Sequence, residues 1–391
     1  MIKGDFLNAL WYYIIAFVII WILAFLFKDK LKIDINGPLL MRKTKRLRGF
    51  IDSVANRSPR FWRWSMNVGL PVAVFFMGLM LYFLIISLQT LLEAPQVSII
   101  LPGVDIPGSS IFIPLEFGII ALVTVMVVHE FGHGIISRVE GVKIKSIGVL
   151  LLAVLPGAFV EPDEEDIQKS KRISKLRIYA AGSVFNLSLA AIALVFTFLI
   201  ASFVIAPAFH TDGVEITSVV PNSPADGILK QGMVIQSING IETGNIDNYV
   251  QILNQTKVGD TLTFITDQGT LSVTTGVNPN NSTRGYIGIR SQPHLTVKDN
   301  IANIFGEGIP WFFYNLKDLL YWIFLLNFAV GTFNLLPMKP LDGGLILEEL
   351  LSYKLSENRV QKIINPLSYF LILIIVVSIV YSLGRGISLL L

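Results

Sequence analysis

The sequence predicts a polytopic α-helical membrane protein that carries one inserted water-soluble domain of mixed α and β structure. The 391 residues are 53% hydrophobic and only 15% charged, and their mean hydropathy is +0.63, a balance that is not typical of a soluble chain. Six apolar stretches are long enough to cross a hydrocarbon layer about 30 Å thick as helices. The six predicted spans are Leu10–Phe27, Val68–Leu92, Ile111–Val128, Ile178–Phe209, Leu319–Pro337 and Ile363–Leu383.

Lys and Arg are distributed unevenly among the segments that join these spans. Residues 28–67 hold eleven, residues 138–177 hold eight and residues 338–365 hold four. Because cytoplasmic loops accumulate Lys and Arg, these three segments are expected inside the cell. Both termini and the long segment 210–318 are then expected outside the cytoplasm. The predicted location is the cell membrane, in contact with the lipid bilayer, and nucleic acid is not an expected partner.

The chain contains no cysteine. It therefore cannot form a disulfide, an iron–sulfur cluster, a thiolate zinc site or a cysteine nucleophile. Its chemistry must come from His, Asp, Glu, Ser or Lys.

The most informative motif is His129-Glu130-x-x-His133, at the inner end of the third predicted span. Residues four apart on a helix lie on one face, so the two imidazoles can bind one cation while Glu130 reaches the water bound to it. Ionisable groups within a spanning helix are costly unless they form a site. The motif predicts an intramembrane metal centre of the kind found in zinc hydrolases.

A catalytic zinc usually has three protein ligands and one position for water. His210 and His294 lie at the edges of the outer domain, on the wrong side of the membrane. Asp342 follows the inward-running span 319–337 and is the better candidate. We predict that it completes a site for one Zn²⁺ per chain, and the alternative is that Asp342 only caps a helix beginning at Gly343.

Residues 211–293 read as a small α+β domain, with strands at Val214–Val220 and Met233–Ile238 and a short helix predicted at Ser223–Lys230. The run from Val214 to Gly240 resembles a PDZ domain. The resemblance implies a loop and strand that receive a peptide, and the alternative is that the glycines there only shape a turn. The implied peptide-binding residues are Gly285, Tyr286, Ile287, Gly288 and Ile289.

The order of the motifs resembles the site-2 protease family of intramembrane zinc metalloproteases. The H-E-x-x-H helix, the PDZ-like insert and the segment Asn334-x-x-Pro-x-x-x-Leu-Asp-Gly-Gly344 occur in the family's order. The resemblance implies that Glu130 is the general base. It also implies that the zinc ligands are His129, His133 and Asp342.

Two further segments match the family. Gly182-Ser-Val-Phe-Asn186 matches a G-x-x-x-N motif, with Ser183 where many members have proline. The match implies that Asn186 polarises the scissile carbonyl or holds the substrate backbone; the alternative is an interhelical hydrogen bond. Residues 142–161 imply a membrane-dipping β-hairpin, or else a hairpin that only lies at the interface. Its edge would lie beside extended substrate through Gly157, Ala158, Phe159 and Val160.

The predicted organisation has four parts. The first contains the N-terminal pair of transmembrane helices, the second and fourth form the catalytic core, and the third is the PDZ-like domain. The fourth part begins with an interfacial aromatic segment at Trp311–Tyr314 and ends with a transmembrane helix. The boundaries are 1–110, 111–210 (with hairpin 142–161 and helix 178–209), 211–293 and 294–391 (with helix 319–337).

The resemblance implies an endopeptidase that cleaves a transmembrane segment of another membrane protein near its cytoplasmic side, as in regulated intramembrane proteolysis. It also implies that another protease trims the substrate first. One alternative is a non-catalytic membrane adaptor that acts through the PDZ-like domain. The others are a metal or ion transporter, and a membrane protease that takes a glutamate as third zinc ligand and cuts soluble tails.

Overall fold

The computed structural model describes residues 2–44, 47–89, 101–104, 111–152, 155–278 and 281–388. It divides into two units. The first, here called the membrane unit, consists of residues 2–197 and 318–391. The second, the PDZ-like unit, consists of residues 198–317. Residues 90–92 of the second predicted span lie outside the described residues.

Six helices of the described chain are long and apolar enough to cross a membrane, as the sequence predicts. The aromatic residues Trp311–Tyr314 do not form a segment of their own, because they lie in the first turns of the helix that begins at Gly308. That helix ends at Phe333 and not at Pro337. The helices are α1 Ile2–Leu31, α2 Arg48–Arg57, α3 Pro59–Ser87, α4 Leu115–Val139, α5 Glu164–Lys169, α6 Arg172–Ile200 (continued by a π turn, Ala201–Ile205), α7 Ala206–Ala208, α8 Ile246–Gln255, α9 Asp299–Phe305, α10 Gly308–Phe333, α11 Asp342–Leu351 and α12 Glu357–Ser388.

The described strands form three sheets. The membrane unit holds a four-stranded antiparallel sheet in the order β1-β2-β3-β4. The PDZ-like unit holds a sheet in the order β12-β5-β6-β8-β9, in which β7 also pairs with β6, and the separate pair β10-β11. The strands are β1 Asp34–Asn36, β2 Leu39–Thr44, β3 Ile144–Leu152, β4 Leu155–Pro162, β5 Phe209–Val219, β6 Val234–Ile238, β7 Ile241–Glu242, β8 Thr261–Thr266, β9 Gly269–Thr274, β10 Gly276–Asn278, β11 Asn281–Tyr286 and β12 Ile289–Val297.

The predicted hairpin at 142–161 is present as β3 and β4, but it is part of a larger sheet. β2 pairs with β3 from Leu39 opposite Leu152 to Thr44 opposite Ile147. No described strand pairs with the outer edge of β4, which is therefore an edge strand of this sheet.

The PDZ-like unit confirms the predicted α+β character and corrects one element. Residues 223–230 form turns and not a helix. The reason is local: Asn222 has φ +60°, whereas a residue that caps a helix N-terminus adopts extended backbone. Asn239 and Gly240, with φ +51° and +80°, form a tight turn between β6 and β7.

Helices α4 and α6 pack closely where the metal-binding motif lies. A Cβ added at Gly132 of α4 would lie 2.9 Å from the Ala181 carbonyl oxygen of α6. Small residues allow membrane helices to approach to this extent. At the same end of α4, the buried Glu140 carboxylate accepts hydrogen bonds from Arg177 at 2.9 Å and from Ser174 at 2.5 Å. These contacts tie the end of α4 to α6.

The chain between α10 and α11 folds back over the start of α11. Gly343 donates its amide N–H to the Asn334 carbonyl at 2.8 Å. A Cβ added at Gly343 would clash with the Leu335 carbonyl, and one added at Gly344 would lie 2.5 Å from the Met338 carbonyl oxygen. The two glycines are therefore required for the close backbone approach that places Asp342.

Candidate metal centre

The structure brings His129, His133 and Asp342 together, although 209 residues separate the histidine pair from the aspartate along the chain. The two Nε2 atoms are 3.2 Å apart. Asp342 Oδ1 lies 3.4 Å from Nε2 of His133, and Oδ2 lies 3.6 Å from Nε2 of His129. The three side chains are 12 to 16% exposed, so the cluster is largely shielded from solvent.

The cluster has the dimensions of a zinc site. Ligand atoms bound tetrahedrally at about 2.0–2.1 Å from zinc are about 3.3 Å from one another. The three separations of 3.2, 3.4 and 3.6 Å match this value. Two imidazoles and a carboxylate are also a ligand set that catalytic zinc uses, with the fourth position left for water. The residues therefore fit zinc.

The backbone of α6 fixes the ring of His133. Its Nδ1 donates a hydrogen bond to the Ile178 carbonyl at 2.8 Å. Because a neutral imidazole carries one proton, this bond leaves the lone pair of Nε2 available to a metal.

Ser183 has a direct contact with the ligand set. Its hydroxyl donates a hydrogen bond to Asp342 Oδ2 at 3.0 Å, and Ser183 is fully buried. Burial acts to raise the pKa of Asp342, but the positive charge of the His133 and His129 rings in their protonated form, together with this hydroxyl, holds that pKa below its ordinary value. The aspartate thus remains an anionic ligand. The serine at this departure from the family motif orients it.

Asn186 lies behind His129. It is fully buried, its amide nitrogen is 3.3 Å from His129 Nδ1, and its Oδ1 has no partner among the described residues. When Nε2 binds a metal, Nδ1 carries the proton, and the Asn186 amide turned by 180° accepts a hydrogen bond from the Nδ1–H group through Oδ1. This contact suits a positioning residue for His129 and joins α4 to α6.

Gly182 lies directly beneath the two imidazoles. A Cβ added there would clash with Nε2 of His133 and would lie 2.6 Å from Cε1 and Nε2 of His129. We expect Gly182→Ala to displace both rings and to lower zinc affinity by about 10- to 100-fold or more, a typical cost of disturbing the shell around a metal. Zinc titration of the purified variant measures this loss. Gly78→Ala on α3, where a Cβ meets nothing within 4 Å, is the matched control and should bind zinc normally.

Glu130 reaches the free edge of the sheet. Its Oε2 accepts a hydrogen bond from the Val160 amide at 2.7 Å. Since the Val160 N–H points away from β3, the alternation of an antiparallel pair directs the Ala158 amide outward as well. The same glutamate also lines a cavity of about 790 Å³, and His129, His133 and Asp342 line this cavity too. The general-base candidate, the metal ligands and the strand edge therefore meet at one cavity.

The predicted peptide-binding loop of the PDZ-like unit lines a separate cavity of about 200 Å³. The amide of Gly285 is already hydrogen bonded to the Thr256 carbonyl at 2.8 Å. Gly288 has φ +83°, and a Cβ there would clash with Ser223, so this glycine shapes a turn. Peptide binding by these residues stays a prediction.

A pair of helix-borne histidines with an adjacent glutamate and a converging aspartate defines a metalloprotease centre on membrane helices. A sequence model of peptidase family M50 matches residues 117–375, more than half of the chain. The chain belongs to this family, and the resemblance to site-2 proteases is confirmed. The protein is a zinc metalloprotease and a multi-pass membrane protein.

The individual relatives are 24 to 28% identical to this chain over the matched residues. An uncharacterised protein of Methanocaldococcus jannaschii is 27% identical over 341 residues, which cover 84% of this chain and 82% of the relative. A membrane-bound transcription factor site-2 protease homolog of Arabidopsis thaliana is 28% identical over 139 residues, which cover 35% of this chain and 27% of the relative. The PDZ domain of an SdrC-like protein of Listeria monocytogenes is 24% identical, covers 23% of this chain and 92% of its own, and has a TM-score of 0.18.

Proposed function

We propose that this metalloprotease hydrolyses a peptide bond within a transmembrane segment of another membrane protein, near the cytoplasmic end of that segment. The observation that carries the proposal is the meeting of His129, His133 and Asp342 with Glu130 at the free edge of β4, in a unit built from membrane-length helices. A strand edge suits a substrate that must be extended before its backbone can be cut.

Zinc, when bound, supplies a water of pKa about 7 and polarises the scissile carbonyl. Glu130 takes up the proton of the attacking water and returns it to the leaving amine. The Ile178 carbonyl orients the His133 ring and Asn186 orients the His129 ring, so that the Nε2 atoms of both rings face the metal site. No covalent bond between protein and substrate is required.

Substrate binding also releases Glu130. In the structure the Val160 amide donates to the Glu130 carboxylate at 2.7 Å. When a substrate strand is added to β4, the Val160 amide donates its hydrogen bond to a carbonyl oxygen of the substrate instead. Glu130 then loses its backbone partner and accepts a hydrogen bond from water, so that the base becomes available when substrate is present.

Val160→Pro tests the use of this edge. Proline is tolerated on edge strands where the missing N–H would point outward, so the pairing of β3 with β4 is retained. We expect kcat/KM to fall by about 10²-fold, as when a substrate is misplaced by about 1 Å. Val160→Ala also removes the valine side chain but keeps the N–H, so kcat/KM should fall much less in this variant. Equal losses in the two variants, measured in the same cleavage assay, would argue against strand addition at this edge.

The orientation and the partner are also part of the proposal. The three Lys- and Arg-rich segments support a cytoplasmic location for residues 28–67, 138–177 and 338–365, with the PDZ-like unit and both termini outside the cytoplasm. We infer that another protease first trims the substrate on the outer side, and that the PDZ-like unit screens what remains. This order would keep the intact substrate from reaching the β4 edge.

The proposal as a whole is tested by incubating the purified protein in lipid vesicles with a candidate membrane protein and mapping the products by mass spectrometry. We expect a cut inside the transmembrane segment, which zinc chelation abolishes and added zinc restores. Cleavage confined to soluble tails would contradict the proposal.

A further inference from the structure

Two cavities of the membrane unit adjoin each other over the sheet, and each is lined by residues of β2, β3 and β4. The first, here called the apolar groove, measures about 510 Å³, lies beside Pro156 and Gly157, and is lined almost entirely by apolar side chains. The second, here called the basic cleft, measures about 610 Å³, lies beside Phe159 and Val160 and includes Glu130. Ala158 lines both cavities. A chain that follows β4 from Pro156 to Val160 therefore borders the apolar groove first and the basic cleft next.

Four cations line the basic cleft: Lys30, Lys32, Arg42 and Lys43. Glu130 is the one acid among its described lining residues. All four cations are exposed, and none takes part in an ion pair among the described residues. Their charge is therefore not neutralised by the protein itself.

The cavity lined by the metal ligands contains more acidic than basic residues. Its rim carries Glu161 and Glu164 and the single cation Lys145. Among the described residues that line the three cavities, Lys30, Lys32 and Lys43 line only the basic cleft, and Arg42 lines both the basic cleft and the apolar groove. A bound chain meets this charge where it leaves the apolar groove.

We propose that the basic cleft selects transmembrane substrates whose cytoplasmic flank carries Asp or Glu. This inference rests on the proposed function. The four cations belong to residues 28–67, the segment expected in the cytoplasm, so the occupant of the cleft is the inner flank of the substrate. The apolar groove receives the membrane-embedded part of the same chain.

The selection is physically sharp because most membrane proteins have the opposite charge at this position. Cytoplasmic flanks of transmembrane helices are usually rich in Lys and Arg. Such a flank would place like charges against Arg42 and Lys43, whereas an acidic flank pairs with them. The cleft is bounded by apolar walls on one side, which strengthens the field of its cations.

The test uses three synthetic substrates with one transmembrane sequence and a cytoplasmic flank of three Glu, three Gln or three Lys, in phosphatidylcholine vesicles. We expect kcat/KM to fall in the order Glu, Gln, Lys, with a difference on the order of tenfold between the extremes that narrows as salt is raised. The double variant Arg42→Glu/Lys43→Glu should reverse the order. Lys354→Glu/Lys362→Glu changes the charge equally at exposed positions outside the three cavities and should keep the wild-type order.

Each outcome is distinguishable. Equal cleavage of all three substrates by the wild type overturns the charge selection and leaves the proposed function intact, whereas cleavage of none overturns the proposed function. If anionic lipid in the vesicles changes the rate and the flank charge does not, the cleft binds lipid headgroups and the proposal is wrong. Zinc content and thermal unfolding show whether the double variant is folded. Should it not fold, the salt dependence of the wild-type preference decides the matter.

Discussion

Glu130→Gln is expected to retain zinc and to lose cleavage. The substitution keeps the size of the side chain, and the amide oxygen can still accept the hydrogen bond of the Val160 amide, which lies 2.7 Å from Glu130 Oε2 in the structure. It removes the carboxylate that, in the proposed mechanism, takes up the proton of the attacking water. General acid–base catalysis contributes about 10²- to 10⁴-fold, so we expect kcat/KM to fall by about that factor. The measurement is cleavage of a transmembrane substrate in vesicles, with bound zinc determined on the same sample.

Glu165→Gln is the matched control for this variant. Glu165 is exposed on α5, where it pairs with Lys169, and it does not line the cavity of the metal centre. Its cleavage rate should equal that of the wild type. An adaptor that acts through the PDZ-like unit would lose nothing in either variant, so undiminished function of Glu130→Gln would contradict the enzymatic account.

Asp342→Ala is expected to lose both zinc and activity. Asp342 offers one of the three candidate ligand atoms, and its carboxylate lies 3.4 and 3.6 Å from the two Nε2 atoms. Two imidazoles that remain without an anionic partner form an incomplete site. We expect less than about one tenth of the wild-type zinc to remain after dialysis, because loss even of an outer partner costs about 10- to 100-fold in affinity. Cleavage should fall to background.

The control for Asp342→Ala is Asp299→Ala, at the start of α9 in the PDZ-like unit. It removes one carboxylate from the chain and should leave the zinc content unchanged. Full zinc retention by Asp342→Ala would mean that another residue is the third ligand, as in membrane proteases that use a glutamate.

The sequence sufficed for the parts of the site that depend on local chemistry. The spacing of His129 and His133 specifies one helix face, and the prolines and glycines around Asp342 indicate a broken backbone at the end of a span. The six membrane-length helices follow from hydropathy alone. In each case the signal lies in a few neighbouring residues, so no knowledge of the packing is needed.

The remaining features depend on packing between distant elements. Pairing of β2 with β3 could not be predicted, because Leu39–Thr44 is a short strand without regular alternation of apolar and polar residues, inside a basic segment. The contact of Glu130 with the Val160 amide requires α4 to lie against β4. The sequence identifies Gly182 as the first residue of a G-x-x-x-N motif, but only the structure shows that this glycine makes room for the two imidazoles.

Ser183 is another residue whose role could not be predicted from the sequence. In sequence it is a departure from the family motif and weakens the match. In the structure its hydroxyl hydrogen bonds to Asp342 at 3.0 Å, so the departure falls on a residue that contacts a metal ligand. The meaning of this position depends on a neighbour 159 residues away.

The central claim is that one zinc ion is held by His129, His133 and Asp342. X-ray absorption at the zinc edge of the purified protein tests it most directly. The account predicts one zinc per chain, with two imidazole nitrogens at about 2.0–2.1 Å and oxygen ligands at about 2.0–2.2 Å. The imidazole signal should be lost when both histidines are replaced. Absence of zinc, or a zinc whose spectrum is unchanged by replacement of His129, His133 or Asp342, would contradict the claim.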